Sequence, residues 1–549
     1  MLWRPFPLEG AAPDDGLVRL RGAVHVHTTL SDGGGPPEEV IAAARRAGLA
    51  FVAITDHNNL DAKRFEGYHD GVLVIVGTEV STTAGHVLGL GIPDPAYRFS
   101  GDALDTLEDL RDLGGVAFAA HPSSAREDLR WTGWDLPGGW GLELVNGDSQ
   151  WRAAGLGRLA ATAVLYGLNR SYALLWSLTP PTEALRRWDA LLAQRDTAGL
   201  TGADAHSRLP LGERRCLRFP SYEALLGLVT NHVLLDSPLS GDAGRDIRRL
   251  VEALGRGRSY VGVDSLAPAG GFYFRGERGA ERYEMGDTAP GAEGLRLRCG
   301  GRMPRGTRVR LLRDGRAVED AGAGFDLPAP GPGVYRVEAR VPGWELPWVV
   351  ANPVYVFGPE AEAERARRGA WPEAPEVPAV RLRIDDFEGR PRFEAEHDRE
   401  STVEAPILDA QGGVGGSRCA RLRFRLSFPT PERRFVWCAL VDRQPRDLSG
   451  MKGLVLSLRG DGVYRIFVQL RDANPASSDD GMEFWFASLR TSPEWRRLAV
   501  PFSRFRSLNK RSDGRLDLDK IRQLVFVLDQ GAEKPGTAGT IWIDDVGAY

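Results

Sequence analysis

His25 and His27 stand one residue apart in the short apolar run 23–27, inside the stretch RGAVHVHTTLSD at 21–32. A strand sends alternate side chains to opposite faces, so this spacing puts both imidazoles on one side, where two ligands can share a metal ion. Asp32 follows in a Ser-Asp-Gly turn, from which a carboxylate can curl back toward the strand end. The arrangement recurs down the chain. His57 follows the apolar run 51–55, Glu79 the run 72–76, His121 the run 116–120, and Asp204 and His206 the run 200–203, while His86 opens the run 87–90. Six of the nine histidines belong to this set, whereas scattered core or surface histidines would not gather beside apolar runs in the first 206 residues. His69, His232 and His397 fit no such pattern and are read as structural. Imidazole and carboxylate together suit Zn, Mn or Fe, and residue type does not choose among them.

Holding such a set in one place needs strands whose ends converge. From 20 to about 265, short apolar runs alternate with helical patterns, which is the signature of an α/β domain with a parallel sheet. Pro36 and Pro37 start a helix over 36–47, Glu38 and Glu39 suit its positive end, and Gly48 stops it. Further helices are expected at 102–113, 181–195 and 243–254, and the Ala- and Leu-rich stretch 153–175 reads as buried helix. The last strands are expected at 233–235 and 260–263. In a barrel of parallel strands, the C-terminal strand ends are where an active site forms.

The motifs HVHTTLSDG, ITDHN, GTEVSTTAGHVLGLG, AAHPSS and GADAH resemble those of the PHP (polymerase and histidinol phosphatase) family of metallohydrolases. The resemblance covers about 20–265, and GLELVNGDSQWR at 141–152, RRWDALLAQ at 186–194 and WVVANPVYVF at 348–357 look most like its carbaryl-hydrolase-like (CehA/McbA) branch. It implies a distorted seven-stranded (β/α)7 TIM-like barrel holding two to three divalent transition-metal ions. His25, His27, Glu79 and Asp204 would hold one ion, Glu79 would bridge to a second held by His86 and His121, and Asp32, His57 and His206 would hold a third. The lead reading is hydrolysis of a phosphoester by a metal-bridging hydroxide, chosen because three divalent ions would leave the site positively charged while the branch resemblance pulls toward carbamates and aryl esters, with Glu79, Asp204 and His206 as catalytic residues. A carboxylic ester or carbamate hydrolase on the same centre is the alternative. A carbohydrate-binding or assembly protein with a scaffold barrel is the alternative from a different class, and the complete set of nine ligand positions speaks against it. Arg126, Arg130 and Arg208 are candidate clamps for an anionic small-molecule substrate, because a guanidinium fork matches phosphate oxygens. Trp131, Trp134, Trp140 and Trp151 accompany them in a glycine-containing segment expected to form part of the substrate wall.

Beyond 270 the helical patterns stop. Period-two stretches near 295–299, 307–312 and 334–339, separated by Gly and Pro turns, read as a small β-sandwich over 271–358. A charged Ala/Glu/Arg run followed by Pro372, Pro375 and Pro378 reads as a linker over 359–380. From 381 to 549 the chain is again all β. IDDFEG, GDGVYRIFVQLRD, EWRRLAVPFSRF and TIWIDDVGAY resemble galactose-binding-like jelly rolls of the carbohydrate-binding family 11 and complex I intermediate-associated types. There Asp385, Asp386, Glu388, Asp544 and Asp545 are candidate hard ligands for a structural calcium ion (Asp386, Glu388 and Asp545 above all), and Trp437, Tyr464 and Trp485 could stack on a carbohydrate. The expected domains are therefore an N-terminal extension at 1–19, a barrel at 20–270, a small β-sandwich at 271–358, a linker at 359–380 and a jelly roll at 381–549.

Charge is nearly balanced, 70 basic against 74 acidic residues, and no basic block suggests a nucleic-acid partner. Four scattered cysteines (Cys216, Cys299, Cys419 and Cys438) include no Cys-x-x-Cys, which argues against thiolate zinc sites; Cys419 and Cys438 are expected reduced in a core. No run approaches the roughly 20 apolar residues of a transmembrane segment. No apolar h-region opens the chain, so a cytoplasmic protein is expected, or a secreted or periplasmic one if the N-terminus is trimmed.

Overall fold

The computed structural model describes residues 6–549 apart from 94–96, 153–154, 211–215, 372–375, 391, 405–406, 410–411, 433–434 and 510. The side chains of 151, 152, 156, 210, 216 and 407–409 also lie outside the described part, and with them Trp151 and the Cys216 thiol. The chain divides into two compact units, 1–95 with 101–372 and 96–100 with 373–549.

The first unit is built on a closed sheet. Strand β1 (Val18–Val26) enters it, and helix α1 (Pro37–Arg46) returns the chain to β2 (Phe51–Ile54). β3 (Val72–Val76) runs on past Gly77 into β4 (Thr78–Thr82), which a tight turn joins to β5 (Gly85–Leu90). Helix α2 (Ala103–Asp112) leads to β6 (Val116–Ala119), and β7 (Gly141–Asn146) follows without an intervening helix. Four helices, α3 (Gly147–Arg152), α4 (Leu156–Tyr166), α5 (Arg170–Ser177) and α6 (Thr182–Leu192), precede β8 (Gly199–Ala205). β1 pairs in parallel with β2 and β8, β2 with β3, β6 with β7, and β7 with β8. β5 runs the other way, antiparallel to β4 and β6. That reversal matters for the site: the start of β5, which carries His86, lies at the same edge as the C-terminal ends of its neighbours.

The apolar residues that announced the strands form the core. Val24, Phe51, Ala53, Leu73, Ile75, Leu88, Phe118 and Leu200 join one cluster with Leu250, Val251 and Leu254 of α7 (Ala243–Gly255). Asp242 caps α7 by accepting a hydrogen bond from the Arg245 amide, a cap of a kind worth about 1 kcal/mol.

Several expectations change. The first barrel strand begins at Val18, inside the expected extension, and within that extension the short strand Leu8–Glu9 pairs with Met303–Pro304. Strands β9 (Thr230–Leu235) and β10 (Ser259–Gly262) are not parallel members: β9 pairs antiparallel with the first half of β1, and β10 pairs antiparallel with β9. β10 then pairs with Val349–Ala351, so hydrogen bonding runs from the barrel sheet into the expected small β-sandwich without a break at 270. An open edge strand leaves a row of unpaired amides and carbonyls, and this pairing satisfies them. The first half of the expected linker is instead a helix, Pro359–Gly369, whose Arg365 donates to the Leu192 carbonyl and Asp196. Pro372 and Pro375 lie outside the described residues. The expected buried helix 153–175 breaks at Gly167–Asn169 into α4 and α5, and α4 leaves Val164 74% exposed.

The second unit contains a seven-stranded and a six-stranded sheet. Ile384, Leu422, Leu456, Val468, Leu470, Phe526 and Ile543 belong to its main core. Cys419 and Cys438 are buried in different sheets, not neighbours on adjacent strands. Trp485 is a core residue, Tyr464 packs against the same core with its hydroxyl on Asp461, and Trp437 packs on a second apolar cluster. The candidate calcium ligands do not converge. Asp385 accepts from the Phe387 and Arg392 amides, Asp386 from Arg383, Glu388 from the Arg418 amide, and Asp544 from the Val414 amide. Among the described residues, the groups of three or more metal-type ligand atoms all lie in the barrel. Among them too, no helix is long and apolar enough to cross a membrane.

Candidate metal centre

All nine residues singled out in the sequence meet at one end of the barrel. Glu79, 1% exposed on β4, is the hub. Its Oε1 lies 2.7 Å from His86 Nδ1 and 2.8 Å from His121 Nε2. Its Oε2 lies 3.1 Å from both His25 Nε2 and His27 Nε2 and 3.2 Å from His57 Nδ1. Asp204 Oδ1 lies 3.5 Å from each of His25 Nε2 and His27 Nε2 and 3.4 Å from His206 Nδ1. Asp32 Oδ1 closes the far side, 3.3 Å from His206 Nε2, 3.7 Å from His27 Nδ1 and 3.8 Å from His57 Nε2. The converging groups are His25–His27–Asp204, His25–Glu79–His121, His57–Glu79–His86 and His27–Asp32–His57–His206. The implied partition differs in detail, since His57 converges with His86 on Glu79 as well as with Asp32 and His206.

Three of the nine sit where backbone is strained. His25, His121 and Asp204 have φ of 66°, 30° and 47°, a region that L-residues with side chains rarely occupy. At His25 the β1 ladder with β2 slips register between Ala23 and Val26, and the ladder with β8 slips beside it. The two imidazoles therefore do not share a face through plain strand alternation. A kinked backbone brings their ring centroids to 5.1 Å.

The donors fit divalent ions. His25 Nε2, both ring nitrogens of His27 and His57 Nδ1 are buried without a hydrogen-bond partner. Buried polar atoms left so are costly, on the order of 1–3 kcal/mol each. An ion roughly 2.0–2.2 Å from each ligand sets ligand atoms about 3–3.5 Å apart, close to the spacing around Glu79 Oε2 and Asp204 Oδ1.

The charges are interlocked. Burial disfavours ionised Glu79, yet His25, His121 and His27 hold its carboxyl well below the usual range. Burial also opposes ionised Asp204 and Asp32, and the neighbouring imidazoles keep both low. Burial opposes a charged His25, but Glu143, Asp204 and Glu79 outweigh it and hold its pKa well above the histidine range. For His206, burial is again overcome, here by the Asp32 hydrogen bond and the Asp204 charge, and the pKa stands at about 9. His57 goes the other way, lowered mainly by burial.

Four residues that sequence reasoning passed over complete the site. Glu143, buried on β7, accepts from His25 Nδ1 at 2.6 Å, the His121 amide at 2.6 Å and Asn146 Nδ2 at 2.9 Å. It fixes the His25 tautomer so that Nε2 faces Glu79. Gly202 on β8 leaves room for that carboxylate, since a Cβ there would lie 1.7 Å from Glu143 Oε1. Asp56 accepts from the Thr28 amide and hydroxyl and from Ser31 Oγ, which holds the turn presenting Asp32. Asp148, at the start of α3, lines the cavity above the cluster. A lone glutamate inside the buried run GLELVN was a readable signal for the first, because an unpaired carboxylate does not stay in a core. Gly202 and Asp148 had none.

A cavity of about 430 Å³ opens over the cluster and is lined also by Arg126, Leu129 and Arg208. Arg208 donates to the Asp32 carbonyl at 3.0 Å, and Arg126 pairs with Asp128 at an exposed edge. Arg130 does not line this cavity: its guanidinium donates to the Ser124 and Ala125 carbonyls and ties the loop to itself. Trp131 and Trp140 are buried against each other, 5.3 Å between ring centroids, and are core. Trp134 has Arg187 over its ring.

The PHP domain family model matches residues 23–109. Over 85 residues the chain is 35% identical to an uncharacterized protein of Methanocaldococcus jannaschii; the match covers 15% of this chain and 48% of that protein, so the chain spans about half the length of the curated relative it matches. Among solved structures, it is similar to a Bacteroides vulgatus two-domain protein containing a predicted PHP-like metal-dependent phosphoesterase, at 15% identity over 64% of this chain and 99% of that chain, with a TM-score of 0.32. It is also similar to a family 11 carbohydrate-binding module from Clostridium thermocellum in complex with a mixed-linked tetrasaccharide, at 19% identity over 30% of this chain and 94% of that chain, with a TM-score of 0.25.

Proposed function

We propose that the chain is a metal-dependent hydrolase and that its substrate is a phosphoester. The observation that carries this reading is Glu79: one buried carboxylate with five imidazoles within 3.2 Å, several of whose nitrogens have no hydrogen-bond partner. His25, His27, Glu79 and Asp204 would hold one divalent ion, with Glu79 shared toward His86 and His121, and Asp32, His57 and His206 would hold another. Divalent ions bound there supply Lewis acidity and a water acidic enough to ionise near neutral pH. The chain's own groups do the rest. Asp204 or His206, whichever is not engaged by an ion, would pass a proton to the leaving group from the cavity wall. Arg208, braced on the Asp32 carbonyl, and Arg126 at the cavity rim face the position of an anionic substrate.

Charge favours the phosphoester over a carboxylic ester or a carbamate of the carbaryl-hydrolase type. With Arg126 and Arg208 offsetting Glu143 and Asp148, three divalent ions would outweigh the carboxylates Asp32, Glu79 and Asp204 and a hydroxide by about two charges, and that surplus suits a dianionic group whose transition state is charge-rich. The test compares kcat/KM for p-nitrophenyl phosphate and 1-naphthyl N-methylcarbamate on one metal-loaded preparation whose metal content is measured by elemental analysis. Two to three ions per chain and preference for the phosphate are expected. A hundredfold preference for the carbamate, about 2.7 kcal/mol, refutes the phosphoester assignment, and activity on neither refutes the hydrolase.

A further inference from the structure

Beside the cavity over the metal centre lies a second one of about 270 Å³. Its lining is of another kind: Leu159 and Ala163 from α4, Leu174 from α5, then Phe219, Pro220 and Leu225. The two cavities share Asp148, Asp204, His206 and Arg208, so a molecule whose reacting group sits over the cluster meets the mouth of the apolar chamber directly. Nothing in hydrolysis of a small anion needs such a chamber. It has the volume for a ring or a branched chain, since an apolar cavity of about 150 Å³ suffices for benzene.

We propose that this chamber is a specificity pocket, and that the substrate is an ester carrying a sizeable hydrocarbon group that enters between α4 and α5 while its polar end lies over Glu79. The inference rests on the hydrolase reading of the adjoining centre. Asp148 and Arg208, at the shared wall, stand where the polar end gives way to the apolar one. Arg208 is thus placed to grip the anionic end, and Asp148 to exclude a second negative charge from the chamber. The ligand class is amphiphilic: an anionic or ester head with an uncharged tail of about six to ten carbons, which fills a chamber of this size.

The test uses homologous series in which only the tail changes. For n-alkyl phosphates and n-alkyl acetates from methyl to octyl, leaving-group chemistry is nearly constant beyond ethyl. Burying each methylene should then raise kcat/KM about fourfold until the chamber is full. Calorimetric titration of the full-length, metal-loaded chain with n-alkylphosphonates, which do not turn over, and with n-alkanols reads the same slope without chemistry. Leu159→Trp and Ala163→Trp, which fill the chamber from one helix, and Leu225→Trp, which fills it from the other side, should each flatten the slope while metal content stays at the level of the unsubstituted chain. A flat dependence on tail length in both kinetics and binding overturns the pocket even if the short esters are hydrolysed. A rising binding slope with no turnover of any ester supports the pocket and refutes the hydrolase. A slope that all three tryptophan variants leave unchanged places the tail elsewhere and also overturns the proposal.

Discussion

Glu143 touches no substrate position, yet its replacement should be felt at the metal. Its two oxygens take three buried hydrogen bonds, from His25 Nδ1, the His121 amide and Asn146 Nδ2. In Glu143→Gln one oxygen becomes an NH₂ group. Either the amide faces His25, which must then present an unprotonated Nδ1 and carry its proton on Nε2, the atom aimed at Glu79, or it faces the His121 amide and Asn146, takes the acceptor from both, and leaves at least the His121 N–H unsatisfied even if Asn146 turns its own amide. The first outcome blocks the ligand atom, and the second costs about 1–3 kcal/mol. Outer-shell partners of ligating histidines typically govern metal affinity by 10–100-fold, about 1.4–2.7 kcal/mol. The expected result is weaker metal binding in that range, read by competition with a coloured chelator, with an unfolding midpoint in excess metal near that of the unsubstituted chain. Gly202→Ala provides an independent route to the same defect, because its Cβ would lie 1.7 Å from Glu143 Oε1 and must push that carboxylate away. Wild-type metal affinity in both variants would refute the claim that Glu143 positions His25.

Glu79→Gln should cut metal content and turnover by more than the roughly 100-fold that outer-shell changes reach, since the hub carboxylate faces five imidazoles; full metal content in this variant would dissolve the cluster. In chelator-treated protein, His206, with its pKa at about 9, is raised above the ordinary histidine value, so its stabilising contribution is complete below about pH 6.5 and lost as pH rises through 9. The urea midpoint of the metal-free chain should accordingly fall between pH 6.5 and 9.5, and a midpoint that rises over that interval contradicts the assignment. A chain ending at 371 should keep its metal and activity. One ending at 358 lacks the helix Pro359–Gly369, forfeits the contacts of Arg365 with Leu192, Asp196 and the Phe357 ring, and should be less stable by about 1–3 kcal/mol in urea titration.

The candidate ligand set was legible because its signal is local. A histidine or carboxylate at the end of an apolar run is visible in a window of six residues, and all nine such positions converge in the folded chain. Strand positions were legible for the same reason, since Val72–Val76 and Phe51–Ile54 are continuous apolar runs. Direction and pairing were not. Nothing near residues 230–235 says that the strand will lie antiparallel to β1, or that β10 will find Val349–Ala351 and carry the barrel sheet across an expected domain boundary, because hydrogen-bond partners in a sheet are chosen by segments far apart in the chain. The alternation argument for His25 and His27 reached the right neighbourhood by a route the backbone does not take, since the φ of 66° at His25 is held by tertiary packing and no residue type announces it. Glu143 and Gly202 belong to different strands, and their fit exists only once β7 and β8 lie side by side. Sequence, with the family resemblance it carries, pointed to the atoms that could bind metal and to Glu79 as the shared carboxylate; only the tertiary structure decided that Glu143 orients them and that an apolar chamber opens beside them, because each of these is a relation between surfaces that the chain brings together last.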